Sequence, residues 1–250
     1  MIKSLNHFNN KHGFINNPLL IALDLDDKKR VLEMADALSE VAGAFKLGPR
    51  LCLRYGQDFV KEIAQHAPVF MDNKHFDIPS TMESAVRSSF EAGASLVTIH
   101  AQAGVVAMKK MAQLEKELNQ VRPFKILAVT ILTSFDSSSL PSVLKSQTID
   151  EHVLELAQLT RDSGLTGLVC SAHELQILQK HFKKEELFLV TPGIRFELEA
   201  HQDQKRTMGP KEAMRAGASA LVVGRPIIEA TRPLEAATDY LSALLHLEVK

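Results

Sequence analysis

From Leu19 onward, eight short apolar runs alternate with longer amphipathic stretches, and this alternation constrains the fold more than any other feature. The runs are LLIALDL (19–25), AFKLG (44–48), VFMDNK (69–74), SLVTIH (95–100), KILAVTIL (125–132), GLVCS (167–171), LFLVTPG (187–193) and ALVVG (220–224). They are short, β-branched and nearly all apolar, the pattern of parallel strands covered on both faces. The intervening stretches read as helices. Val31, Leu32, Ala35, Leu38 and Val41 share one face. Thr148 and Glu151 have capping-box spacing at the start of another helix, and Gly164 supplies its stop. Ser171 and Glu174 repeat that spacing before LQILQKHF, and Leu234, Ala237, Leu241 and Leu244 form the stripe of the last helix. Met108 and Met111 fit a core stripe in the fourth.

A weak repeat supports this reading. EAGASLV (91–97), DSGLTGLV (162–169) and RAGASALVV (215–223) share a helix end, a glycine, a small residue and a strand. Eight strand–helix units without a Pro/Gly/Ser-rich linker imply α/β architecture, a single-domain (β/α)8 TIM barrel over residues 18–250. A doubly wound open sheet is the alternative. No GxGxxG or GxxxxGK[ST] is present, which argues against a dinucleotide or P-loop site. Residues 1–17 are polar and Asn-rich, without the apolar core of a signal peptide, and read as a loosely ordered arm.

The formal net charge of −1 lacks the basic excess expected for nucleic-acid binding. No apolar run approaches the ~20 residues that span a bilayer. The two cysteines, Cys52 and Cys170, are far apart and lack CxxC spacing. A disulfide framework or zinc knuckle is therefore not expected, and a cytoplasmic location is.

In a (β/α)8 barrel, catalytic groups collect at the C-terminal ends of the strands. Those ends carry Asp24, Lys46, Asp72 with Lys74, His100, Thr130 with Thr133, TPGIR ending in Arg195, and Gly224-Arg225. Asp72 and Lys74 are two apart on a strand and so project to the same side, where Lys46 on the neighbouring strand can reach them. Alternating Asp and Lys side chains would hold one another ionised. The alternative is a structural ion pair closing the barrel end. Asp77, just ahead of Ile78-Pro79, is either a helix cap or a site residue. The glycines and arginines of TPGIR and VVGR suit an oxyanion such as phosphate, the other reading being glycine turns followed by solvated arginines. His100 is a ligand or a hydrogen-bonded structural histidine.

The motifs LIALD (20–24), FKLG (45–48), DNKHFDIPST (72–81), AVTILTS (128–134), TPGIR (191–195) and VVGR (222–225) resemble, in order and spacing, the orotidine 5′-phosphate decarboxylases of the bacterial type. The resemblance covers about Leu19 to Tyr240. It implies a homodimer of barrels that uses no metal or other cofactor and converts orotidine 5′-phosphate to uridine 5′-phosphate and carbon dioxide. It also implies roles. Lys74 protonates C6, Asp72 sits beside the departing carboxylate, and Lys46 orders the array and contacts ribose. Asp24 binds a ribose hydroxyl. Asp77 and Thr81 act in the partner subunit's site, Thr133 lies beside the pyrimidine, and Arg195, Gln204, Gly224 and Arg225 frame the phosphate. Asn73 stands where the family pattern has leucine, and on a strand it points away from the site. Related sugar-phosphate decarboxylases and hexulose-phosphate synthases share the DxKxxD motif but use Mg²⁺, and DIPST and TPGIR argue against them. A nucleotide-binding barrel without catalysis is the remaining alternative.

Overall fold

The computed structural model describes residues 13–144, 146–196 and 208–245. The chain runs β1 (Leu19–Ala22), α1 (Lys28–Leu38), β2 (Ala44–Leu47), α2 (Pro49–Ile63), β3 (Val69–His75), α3 (Pro79–Glu91), β4 (Ala94–His100), α4 (Gly104–Leu118) and β5 (Lys125–Val129). It continues through α5 (Ile149–Ser163), β6 (Gly167–Val169), α6 (Leu175–His181), β7 (Phe188–Thr191), α7 (Pro210–Arg215), β8 (Ala220–Val223), α8 (Arg225–Ile228) and α9 (Pro233–Leu245). Strands β1 to β8 pair in sequence order and in parallel, and β8 returns to β1, so the sheet closes into a (β/α)8 barrel. The open-sheet alternative is thereby excluded.

Two apolar layers follow from the two-residue period of the strands. Leu19, Ile21 and Leu23 of β1 and its extension face the helices, together with Val31, Ala35 and Leu38 of α1. Leu20, Ala44, Phe70, Leu96, Leu127, Phe188 and Ala220 face inward and fill the barrel. Met108 and Met111 are fully buried on α4.

Local signals act where the sequence places them. Thr148 and Glu151 close a reciprocal capping box on α5, and Gly164 ends that helix at φ 97°. The three repeat glycines, Gly93, Gly164 and Gly217, all have positive φ, the conformation that reverses a helix end into the next strand. In α9, Ala237, Leu241 and Leu244 are buried, but Leu234 is 48% exposed and Tyr240 takes a buried place instead. Leu234 lies in the first turn of the helix.

The arm is not loose throughout. Phe14 and Ile15 are buried with the inward-facing layer, and the Phe14 ring meets Phe188 edge-on at 5.2 Å. Asn17 accepts a hydrogen bond from the Leu19 amide and donates one to the Val41 carbonyl. Gly43 is needed here, because a Cβ would stand 1.9 Å from the Asn17 carbonyl oxygen. Residues 13–17 thus plug the N-terminal end of the barrel, and the ordered unit begins earlier than residue 18. Residues 1–12 lie outside those described.

Candidate active site

The inward phase of the strands explains why charges follow the apolar runs. Ala22 precedes Asp24 by one strand period, Ala44 precedes Lys46, and Phe70 precedes Asp72. The same alternation that fills the barrel therefore delivers charged side chains to its upper rim, above an apolar floor. There they form one alternating series. Lys46 Nζ is 3.2 Å from Asp24 Oδ1 and 3.8 Å from Asp72 Oδ2, and Lys74 Nζ donates to Asp72 Oδ1 at 2.8 Å. The reading of Asp72, Lys74 and Lys46 as one cluster holds, and Asp24 joins it.

β3 is irregular at this point. Between Met71 and His75 it advances four positions while β4 advances two, from Val97 to Ile99. Lys74 sits inside this bulge with φ 51°, and it is the single non-glycine residue of positive φ among those described. Its amide donates to Thr98 Oγ1 at 2.9 Å, and Thr98 Oγ1 in turn donates to Asp72 Oδ1 at 3.0 Å.

Burial alone would push the Asp72 carboxyl up. The charges of Lys74 and Lys46, with hydrogen bonds from Lys74 and Thr98, outweigh it and hold the group below its usual value. His100 is pushed down, first by burial and then by Lys74. Its Nδ1 has no hydrogen-bond partner and its ring tilts against Phe76 at 5.8 Å, so no hydrogen bond at that nitrogen anchors it.

A cavity of about 540 Å³ opens above the array, within the range of small-molecule sites. Asp24, Lys46, Asp72, Lys74, Thr133, Arg195, Gly224 and Arg225 all line it. Val129, Ile131, Val169 and Val222 give it an apolar side. Cys170 also lines it, as do Arg50 and Glu229, which the sequence did not single out. Its five basic groups, Lys46, Arg50, Lys74, Arg195 and Arg225, outnumber the acidic Asp24, Asp72 and Glu229, so it suits an anion although the chain as a whole is slightly acidic. Among the described residues, no three His, Cys, Asp or Glu side chains gather closely enough to hold a metal ion.

Asp77 and Thr81 do not line the cavity; both are exposed. The capping reading of Asp77 fails, because Ile78 occupies the N-cap of α3 and Asp77 Oδ1 accepts only from the adjacent Ile78 amide. Asn73 does not line the cavity, as its strand position implies. Gln204 lies outside the described residues. Thr98, fully buried, was missed; its one signal was a hydroxyl within the apolar run SLVTIH, one strand period before His100.

A family model described as "Orotidine 5'-phosphate decarboxylase / HUMPS family" matches residues 17–240. A protein of Legionella pneumophila (strain Paris) named orotidine 5′-phosphate decarboxylase is 38% identical over 227 residues, covering 90% of this chain and 98% of that one. One of the same name from Vibrio vulnificus (strain CMCP6) is 38% identical over 220 residues, covering 88% and 94%. Among solved structures, orotidine 5′-phosphate decarboxylase from Lactobacillus acidophilus superposes with a TM-score of 0.79 at 30% identity, covering 91% of this chain and 99% of that one.

Proposed function

The chain belongs to the orotidine 5′-phosphate decarboxylase / HUMPS family, and from that premise we propose that it converts orotidine 5′-phosphate to uridine 5′-phosphate and carbon dioxide in pyrimidine nucleotide synthesis. The observation that carries this reading is the alternating series Asp24, Lys46, Asp72, Lys74, linked at 3.2, 3.8 and 2.8 Å, within a net-basic cavity that has an apolar side.

The phosphate belongs at the end framed by Arg195, Gly224 and Arg225, where paired guanidinium donors suit its oxygens. Gln204 is assigned to the same end by its position in the family pattern. The ribose belongs beside Asp24 and Lys46, and the pyrimidine lies near Thr133 with its carboxylate at Asp72. The bond between C6 and the carboxylate carbon breaks, carbon dioxide leaves, and the electron pair stays on C6. Two fixed ammonium groups stabilise that charge without the reorganisation that water would require. The Lys74 ammonium then donates its proton to C6 and is reprotonated from solvent. Asp72, held ionised, orients the Lys74 side chain, and it repels the substrate carboxylate more than the departing carbon dioxide. Contacts to the remote phosphate contribute binding energy that is expressed at the reacting carbon. No step needs a metal or cofactor.

The functional unit in this reading is a homodimer in which Asp77 and Thr81 reach the partner's cavity. In support, both are exposed, and the apolar Phe76 and Ile78 beside Asp77 are 60% and 64% exposed. Exposed apolar groups beside Asp77 are compatible with a surface that a second copy covers. Cytoplasmic location is part of the same proposal, resting on Cys52 and Cys170, which are not joined in a disulfide. No helix among the described residues is long and apolar enough to cross a membrane.

The test is the change in ultraviolet absorbance as orotidine 5′-phosphate is consumed by pure protein in EDTA. Full turnover supports the proposal. No turnover of orotidine 5′-phosphate, together with activity on a sugar phosphate that EDTA removes and Mg²⁺ restores, indicates a metal-dependent sugar-phosphate enzyme of the same family. Binding of uridine 5′-phosphate without any turnover indicates a nucleotide-binding module.

A further inference from the structure

We infer that Thr98 is a positioning residue of the reaction, whose hydroxyl holds both Asp72 and the backbone of Lys74 in their working geometry. The inference rests on the decarboxylase reading of the same cavity.

Lys74 lies in the β3 bulge at φ 51°, a conformation that costs a non-glycine residue free energy and persists only when its surroundings hold it. A left-handed residue within a bulge is displaced from the regular ladder. The Lys74 amide is satisfied by the Thr98 hydroxyl oxygen at 2.9 Å. The same oxygen directs its proton to Asp72 Oδ1 at 3.0 Å. Its two roles are compatible, since a hydroxyl accepts through a lone pair while donating its single hydrogen. Asp72 Oδ1 also receives Lys74 Nζ at 2.8 Å. The three contacts therefore run from the Lys74 amide to Thr98, from Thr98 to Asp72, and from Asp72 back to the Lys74 ammonium. The hydroxyl fixes one end of the lysine directly and the other through the carboxylate. Thr98 is fully buried and does not line the cavity, so it touches no substrate and acts only through these two residues.

Thr98→Val keeps the side-chain shape and removes both hydrogen bonds, while Thr98→Ser keeps the hydroxyl and removes the methyl group. With the Lys74 ammonium released from its position, kcat of Thr98→Val falls on the order of 10²-fold, the scale of a misplacement near 1 Å. KM changes little, because the groups that bind phosphate and ribose are untouched. Thr98→Ser recovers most of kcat. Wild-type kcat in Thr98→Val overturns the inference. So does a loss in the serine variant as large as that in the valine variant, because the hydroxyl alone would then fail to hold the geometry. Should Thr98→Val not fold, serine alone decides: kcat far below wild type in a folded Thr98→Ser overturns the inference, and near-wild-type kcat supports it. A wild-type protein without turnover refutes the decarboxylase reading instead. The clamp is then judged by a crystal structure of Thr98→Val: an unmoved Lys74 φ and Asp72 carboxylate overturn it, and a relaxed bulge supports it.

Discussion

At the scale of single residues, Lys74 and Asp72 are the proposed carriers of the chemistry and can be separated experimentally. In the proposed mechanism Lys74→Ala removes both the proton donor and one of two cations facing C6, and loss of one preorganised group commonly costs about 10²–10³ in rate. Losing the proton donor as well should leave no measurable turnover, with circular dichroism and melting showing a folded protein. Near-wild-type kcat would contradict the assignment. Asp72 gives a prediction with a definite sign. Its pKa is lower folded than unfolded, so its contribution is fully present above the ordinary carboxylate value near ~3.9 and is lost as pH falls through the folded value below it. The stability gap between wild type and Asp72→Asn, read from urea midpoints, should stay level from neutral pH down to about pH 5 and close only below about pH 4. A gap that already closes between pH 6 and 5 would show a raised pKa and break the picture of a carboxylate held ionised. The charged residues were legible in the sequence because charge is rare inside buried strands. Thr98 was not, because threonine is an ordinary strand residue. Only the bulge, which no spacing rule reveals, gives its hydroxyl two partners.

At the scale of elements, strands and caps were legible and the edges of the ordered unit were not. All eight apolar runs became strands, because closure of a parallel barrel buries both faces and leaves the apolar run as the whole signal. The runs overshot their strands where the chain leaves the ladder: KILAVTIL spans 125–132, but β5 ends at Val129. The packing of residues 13–17 was illegible for a different reason. Phe14 and Ile15 are two apolar residues in a polar segment, without periodicity, and their burial depends on a barrel mouth that exists only after the strands have closed. Their contribution can be measured. Phe14 is 8% exposed and stacks edge-on against Phe188, so Phe14→Ala should lower unfolding stability by about 3 kcal/mol, the scale of a buried Phe truncation. Chemical denaturation checks the value. Because the plug and the cavity occupy opposite ends of the barrel, KM and kcat should be unchanged at temperatures where the variant is folded. A loss below about 0.5 kcal/mol, the range of surface substitutions, would mean that the plug contributes nothing.

At the scale of the whole molecule, a second copy of the chain is proposed to complete the array in each barrel. Asp77 and Thr81 belong to the same motif as Asp72 and Lys74, yet they face solvent at the start of α3. Sequence made the motif legible but not which copy each half serves, since a linear spacing is the same in cis and in trans. Subunit mixing distinguishes the two. Lys74→Ala chains keep Asp77, and Asp77→Ala chains keep Lys74. If Asp77 acts across the interface, each mixed dimer holds one complete site and one site lacking both groups. Random exchange of equal amounts makes half of the dimers mixed, so about a quarter of all sites should be complete, and activity should rise from near zero to about a quarter of wild type. If Asp77 acted within its own chain, no mixture could assemble a complete site. Absence of recovery after exchange verified by native mass spectrometry would therefore refute the shared site, while leaving the series from Asp24 to Lys74 in each barrel intact.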